Sequence, residues 1–270
     1  MTGPGFDPAG ACVVVTGAGG GIGGALARAL AGRGAAVVVS DLNAESAEAV
    51  AAGITADGGR ALAVAGDAAS EAGIAALIER AVDAYGPIGA WFANAGVDNG
   101  QGLQADERDW ALAVEVNVMA HVRAARALVP GWLEAGGGRF VVTASAAGLL
   151  TMLGAPAYSV TKHGSVAFAE WLSATYRHRG IVVQAICPQG VQTRMLDNSG
   201  PLQEVLSHDS ALTPEQVADD VLAALDGDRF LILPHPEVAG YYAARAADTD
   251  RWLAGMNKLQ QRVDQVAGER

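Results

Sequence analysis

The chain is short of cysteine and of charge, and each shortage removes a class of protein. Two cysteines in 270 residues, Cys12 and Cys187, cannot build a disulfide framework. Both lie in apolar runs, "ACVVV" and "IVVQAICP", so buried free thiols are expected. The five histidines (His121, His163, His178, His208, His235) form no close ligand pair, and no metal site is expected. Charged residues are only 17% of the chain and sum to −11 without a basic cluster, a poor fit for nucleic acid or an anionic membrane. No stretch approaches the roughly 20 unbroken apolar residues of a membrane span. The opening "MTGPGFDPAG" has neither the basic nor the apolar part of a signal peptide, and no Asn-x-Ser/Thr sequon occurs. A soluble cytoplasmic protein is the expectation.

What the chain does have is hydrophobic residues, 51% of the total, in a repeating arrangement. Short apolar runs alternate with longer amphipathic stretches. "CVVVTG", "AAVVVSD", "ALAVAGD", "IGAWFANAG", "GRFVVTASA", "IVVQAICP" and "RFLILP" read as seven strands. The stretches between them read as helices, with caps at Asn43, Ser70 and Thr213 and with Pro214 at a first helical position. "DERDWALAVEVNVMAHVRAARALVPGWLEAG" reads as one long helix, and a last helical stretch runs from about 237 to 266. The strands are continuous apolar runs rather than alternating ones, the mark of a parallel sheet buried on both faces. Repeated β-α units with right-handed crossovers give a doubly wound α/β sheet with helices on both faces. No linker breaks the chain, so residues 1–270 read as a single domain, with a core at about 10–234 and a helical extension at 235–270.

"TGAGGGIGG" follows the first strand and opens the first helix. Gly17, Gly21 and Gly23 form a T-G-x-x-x-G-x-G pattern, and Gly19, Gly21 and Gly24 also satisfy G-x-G-x-x-G. In either frame, bare backbone turns tightly and approaches a pyrophosphate at a helix N-terminus. Asp41 ends the second strand, where a carboxylate accepts bonds from two ribose hydroxyls and repels a 2′-phosphate. No Arg follows it directly, so NAD is favoured over NADP as cofactor.

"YSVTKHG" sets Tyr158 and Lys162 four positions apart, on one face of a helix. A free phenol titrates near 10, too high for a good base near neutrality, and a neighbouring ammonium favours the phenolate. Ser145, at the end of the fifth strand, can hydrogen-bond a substrate oxygen. These segments, with Asp67 in "GDAA", "NAG" at 94–96, Asn117 in "VNV" and "CPQGVQT" at 187–193, resemble the short-chain dehydrogenases/reductases, of the shorter rather than the extended branch. The resemblance covers about residues 10–234. It implies a Rossmann fold and a catalytic tetrad of Asn117, Ser145, Tyr158 and Lys162. It implies a dinucleotide held by Gly17, Gly21, Ile22, Gly23, Asp41, Leu42, Asp67, Ala68, Asn94, Ala95, Gly96, Tyr158, Lys162, Pro188, Val191 and Thr193. A homodimer or homotetramer is implied as well.

One departure stands out. The family usually has Pro-Gly after the sixth strand, and here Gln189 follows Pro188. The segments 97–103, 146–156 and 190–212 are expected around the substrate, the last as a lid. Leu149, Met152, Gln189, Met195 and Leu196 are the expected pocket residues. Their apolar cast points to a lipophilic or aromatic secondary alcohol or ketone as the small-molecule partner. Two other readings stay open, a 3-ketoacyl/3-hydroxyacyl thioester reductase and a non-catalytic dinucleotide-sensing module. The first calls for a basic pocket mouth, of which Arg194 is nearly the whole. The second has no need of a full tetrad.

Overall fold

A computed structural model describes residues 5–99, 102–197 and 211–268. Seven parallel strands form one sheet in the order β3-β2-β1-β4-β5-β6-β7. They are β1 (Cys12–Thr16), β2 (Ala36–Asp41), β3 (Arg60–Ala65), β4 (Ile88–Ala93), β5 (Gly138–Thr143), β6 (Ile181–Ile186) and β7 (Leu231–Ile232). The helices are α1 (Gly21–Gly32), α2 (Ala44–Ala56), α3 (Glu71–Tyr85), α4 (Glu107–Val114), α5 (Ala120–Ala135), α6 (Pro156–Tyr176), α7 (Arg194–Asp197), α8 (Pro214–Ala224), α9 (Glu237–Ala247) and α10 (Thr249–Gly268).

The uninterrupted apolar strands are buried on both sides, as their sequence requires. In β1, Cys12 and Val14 join the core under α3, α5 and α6, while Val13 and Val15 join the core under α1, α2 and α8. Asn43, Ser70 and Thr213 each cap a helix with their side chains, and Thr213 forms a reciprocal capping box with Gln216. Cys12 and Cys187 are buried and free. The chain order reverses between β1 and β4, and a doubly wound sheet opens its crevice at such a point, along the C-terminal ends of the strands.

Three elements differ from the sequence reading. The long helix at 106–136 is broken in character: Glu115–Met119 winds as a π-helix between α4 and α5. β7 is only two residues long, against the six of "RFLILP". The C-terminal helix is two helices that meet at Asp248. The lid expected at 190–212 lies mostly outside the described residues. Its two ends are joined by a bridge between Val191 and Leu212.

Candidate active site

The glycine loop is shaped by close approach. Gly17 has φ +63°, and a Cβ there would stand 2.8 Å from Ala95 Cα. A Cβ on Gly23 would stand 2.3 Å from the Gly17 carbonyl oxygen and 2.4 Å from Asn94 Nδ2. Loop, helix and β4 therefore meet with no room for side chains. Asn94 locks them together: its Nδ2 donates to Thr16 O (3.0 Å) and Gly17 O (3.2 Å). Thr16 Oγ1 accepts from the backbone N–H groups of Asn94 and Ala95, both at 3.1 Å.

The residues suit a dinucleotide. The N-cap of α1 is Gly20, which has no side chain to cap it, so the first-turn N–H groups are left open to an incoming anion. α2, α3, α4 and α8 all cap themselves. Asp41 Oδ2 accepts from Gly19 N (2.9 Å) and Oδ1 from Asn43 N (3.0 Å), which fixes the carboxylate beside the loop with acceptor capacity to spare. Leu42 is 75% exposed on the adjoining rim. Asp67 Oδ1 accepts from Ala69 N at 2.9 Å and thereby holds the turn that carries Ala68. Ile22 lies on the first turn of α1, packed partly against the core. A Cβ on Gly21 would lie 3.2 Å from Thr193 Cγ2, so Thr193 stands against that same helix end. Thr193 Oγ1 donates to Val191 O (3.2 Å), and Pro188 O accepts from Ala146 N (2.8 Å), which ties the loop after β6 to the loop after β5.

The four tetrad positions lie on three elements: Asn117 on the π-turn, Ser145 just past β5, and Tyr158 and Lys162 on α6. Tyr158 is 9% exposed and Lys162 3% exposed. Lys162 Nζ lies 5.5 Å from the Tyr158 ring centroid and donates to Thr143 O at 2.9 Å. Burial pushes the phenol up to about 12, against a hydrogen bond from Ser145 that lowers it. Burial brings the Lys162 ammonium down to about 8. In the free protein, then, Tyr158 is a protonated acid, because desolvation outweighs the Ser145 hydrogen bond. Ser145 lies two residues past β5 and caps the short turn that follows, its Oγ accepting from Ala147 N at 3.1 Å.

Asn117 is a strut in the middle of the π-turn. Its Oδ1 accepts from Val97 N (2.9 Å), and its Nδ2 donates to Val97 O (2.9 Å) and Thr161 Oγ1 (3.0 Å). Its carbonyl accepts from Ser165 Oγ at 2.6 Å. These bonds use both Nδ2 protons and leave a single lone pair on Oδ1. A Cβ on Gly96 would lie 3.2 Å from both Asn117 Oδ1 and Lys162 Nζ, so the bare backbone at Gly96 opens onto both groups.

Of the expected pocket residues, Met152 packs against Ala147, Ala155 and Tyr158. Leu149 does not face the cleft. It is 2% exposed, in the core, and borders a second cavity of about 400 Å³ between α6 and the C-terminal helices. Its carbonyl accepts a hydrogen bond from Arg245 of α9. Met195 and Leu196 lie on the short α7, where the described chain breaks off. Gln189 is held from behind: its N–H donates to His235 Nδ1 at 3.1 Å, with His235 itself buried.

Thr16, Thr161 and His235 hold the site in ways that its sequence motifs do not reveal. Thr16 and Thr161 sat inside quoted motifs, and their service as struts needs three dimensions to be seen. His235 is 46 residues from its partner and has no sequence signal at all.

Residues 11–203 match the family described as short chain dehydrogenase. A cyclohexanol dehydrogenase from Acinetobacter sp. (strain SE19) is 34% identical over 220 residues, 80% of this chain and 87% of that protein. A 1-deoxy-11-beta-hydroxypentalenate dehydrogenase from Streptomyces exfoliatus is 35% identical over 228 residues, 83% and 82% of the two chains. A crystal structure of a short chain dehydrogenase/reductase from Burkholderia phymatum in complex with NAD superposes with a TM-score of 0.84 at 28% identity, covering 91% of this chain and 96% of that one. The chain belongs to the short-chain dehydrogenase/reductase family. It is an oxidoreductase with a Rossmann fold, of a family that binds nicotinamide dinucleotides.

Proposed function

We propose that the protein oxidises a ring-bearing secondary alcohol, or reduces the matching ketone, with NAD as partner and Tyr158 as the group that moves the hydroxyl proton. The observation that carries this is the buried Tyr158 phenol, hydrogen-bonded to Ser145 and one helical turn from a buried Lys162. When bound, the oxidised dinucleotide supplies the hydride acceptor and a positive charge. Tyr158 takes the proton from the carbinol oxygen during oxidation and returns it during reduction. Ser145 Oγ donates to the same oxygen and steadies its developing charge. Lys162 holds positive charge one helical turn from the phenol below about pH 8, and a positive charge there favours the phenolate when the proton is taken.

NAD rather than NADP is supported by the Asp41 carboxylate, fixed by two backbone donors where a 2′-phosphate would have to sit. A cyclic alcohol is supported by the two relatives and by Met152 packed beside Tyr158. A homo-oligomer is supported by apolar side chains left exposed on α4 and α6: Leu112, Val114, Val160 and Trp171.

The test is nicotinamide absorbance with purified protein, cyclohexanol, and NAD or NADP. Turnover with NAD is expected. Tyr158→Phe should lose about 10²–10⁴-fold in kcat and still bind the dinucleotide. Turnover only with NADP overturns the Asp41 argument. A Tyr158→Phe variant that keeps its rate overturns the assignment of the proton.

A further inference from the structure

A second carboxylate reaches the site, and the dinucleotide leaves it without a task. Asp98 follows Val97, whose N–H and carbonyl are both clamped by Asn117 at 2.9 Å. It precedes Asn99, whose Nδ2 donates to Asp109 O (2.9 Å) and Oδ1 (3.2 Å). The backbone that carries Asp98 is thus fixed on both sides. The residue itself is half-buried, and its Oδ1 is sealed from solvent. Neither carboxylate oxygen has a hydrogen-bond donor among the described residues.

Other carboxylates in the loops after the strands are held by backbone N–H groups. Asp41 takes two N–H groups and Asp67 one, and Asp106 takes two at the start of α4. A sealed carboxylate oxygen without a donor calls for an explanation, and a ligand that brings the donor supplies one. Asp98 also stands near the reacting groups. Its charge raises the Tyr158 phenol, and the Lys162 charge pulls the Asp98 carboxyl down against the burial that raises it.

We propose that Asp98 accepts a hydrogen bond from a second hydroxyl on the substrate, so that the site selects a diol or a hydroxyketone over the plain alcohol. The inference rests on the alcohol reading of the preceding subsection. Three kinds of group would compete for this position. A substrate carboxylate is repelled by Asp98 itself. A substrate ammonium meets Lys162 and the positive oxidised nicotinamide. A hydroxyl is neutral, brings the missing donor and tolerates both charges. A hydrogen bond to a charged acceptor is worth enough to give roughly a tenfold preference or more.

The experiment compares kcat/KM for cyclohexanol and for the cyclohexane-1,2- and 1,3-diols, with NAD, in the parent protein and in Asp98→Ala. At least one diol is expected to exceed cyclohexanol by about tenfold, and the ratio should fall to about one in Asp98→Ala. Asp98→Asn keeps the shape, guards against a folding defect, and should lower the ratio part of the way, because a neutral acceptor is about half as strong. If Asp98 acts only through the charge it places on Tyr158, both substrates change together and the ratio stays fixed, which overturns the proposal. A parent ratio near one, as expected if water alone serves Asp98, overturns it too. Turnover of cyclohexanol with no diol preference leaves the alcohol reading standing and removes this one. No turnover of any alcohol removes both.

Discussion

His121 shows what burial does to a single ionisable side chain. It lies one turn after Asn117 on α5, is 1% exposed, and neither ring nitrogen has a partner among the described residues. Burial, with the nearby Lys162 charge, drives its pKa from 6.5 down to about 3. The folded protein therefore refuses a proton that the unfolded chain accepts. Between pH 6.5 and about 3 the unfolded state holds more protons, so stability falls as the solution is acidified, by about 1.4 kcal/mol per pH unit from this one group. His121→Leu should flatten that slope. Urea unfolding at pH 7 and pH 4.5 measures it: the parent should lose about 2–3 kcal/mol more between the two than the variant does. An equal loss in both would show that His121 has no part in the acid response. Tyr158 and Lys162 are shifted by the same cause, in the directions that keep both uncharged, and the site's chemistry has to work against that shift.

At the scale of elements, the tightest constraint is where α1 leaves the glycine loop. Gly23→Ala would place a methyl within 2.4 Å of Gly17 O and Asn94 Nδ2, and neither can yield cheaply, because the first is backbone and the second holds two carbonyls. The loop must open, at a cost of about 1–3 kcal/mol for overpacking. Dinucleotide affinity should fall about tenfold or more while circular dichroism stays that of the parent; titration calorimetry reads the first. Unchanged affinity would mean that the loop has slack. That glycine was legible in the sequence because it sits in a strand–turn–helix context. So were the seven strands and the caps at Asn43, Ser70 and Thr213, since hydrophobic period and capping chemistry are local. The π-turn at Glu115–Met119 was not legible. Its five residues keep a helical pattern, and its cause is distant: Asn117 is drawn between Val97 and Thr161, 20 residues before it and 44 after. The break at Asp248 and the shortness of β7 were hidden in the same way, and so was the turn of Leu149 away from the cleft. Each depends on what packs behind the segment rather than on the segment itself.

For the whole molecule, the question is why the chain continues past β7. The extension is bound to the core in two separable ways. α9 contributes Val238, buried in the core under α6, and Arg245, which donates to Leu149 O and to His163 Nε2 (3.0 Å), while His163 Nδ1 bonds Ser159 O at 2.9 Å. That arrangement ties the last helices to the loop after Ser145 and to the helix that carries Tyr158. α10 contributes Trp252, packed on the same core and 6.4 Å from the Tyr241 ring, together with the buried Val263. Truncation after Asp248 should then be a stability lesion. Losing a half-buried Trp costs about 2 kcal/mol, a fall of about 4–8 °C in Tm for a chain of this size, with alcohol turnover retained below the new Tm. Truncation after Pro236 removes Arg245 and Val238 as well. It should lower kcat/KM for the alcohol beyond what the Tm explains, because the Ser145 loop loses its anchor at Leu149. Calorimetry and steady-state rates on the two truncations separate these effects. If both lower turnover equally, the anchor at Arg245 does not reach the reacting groups, and the extension serves stability alone.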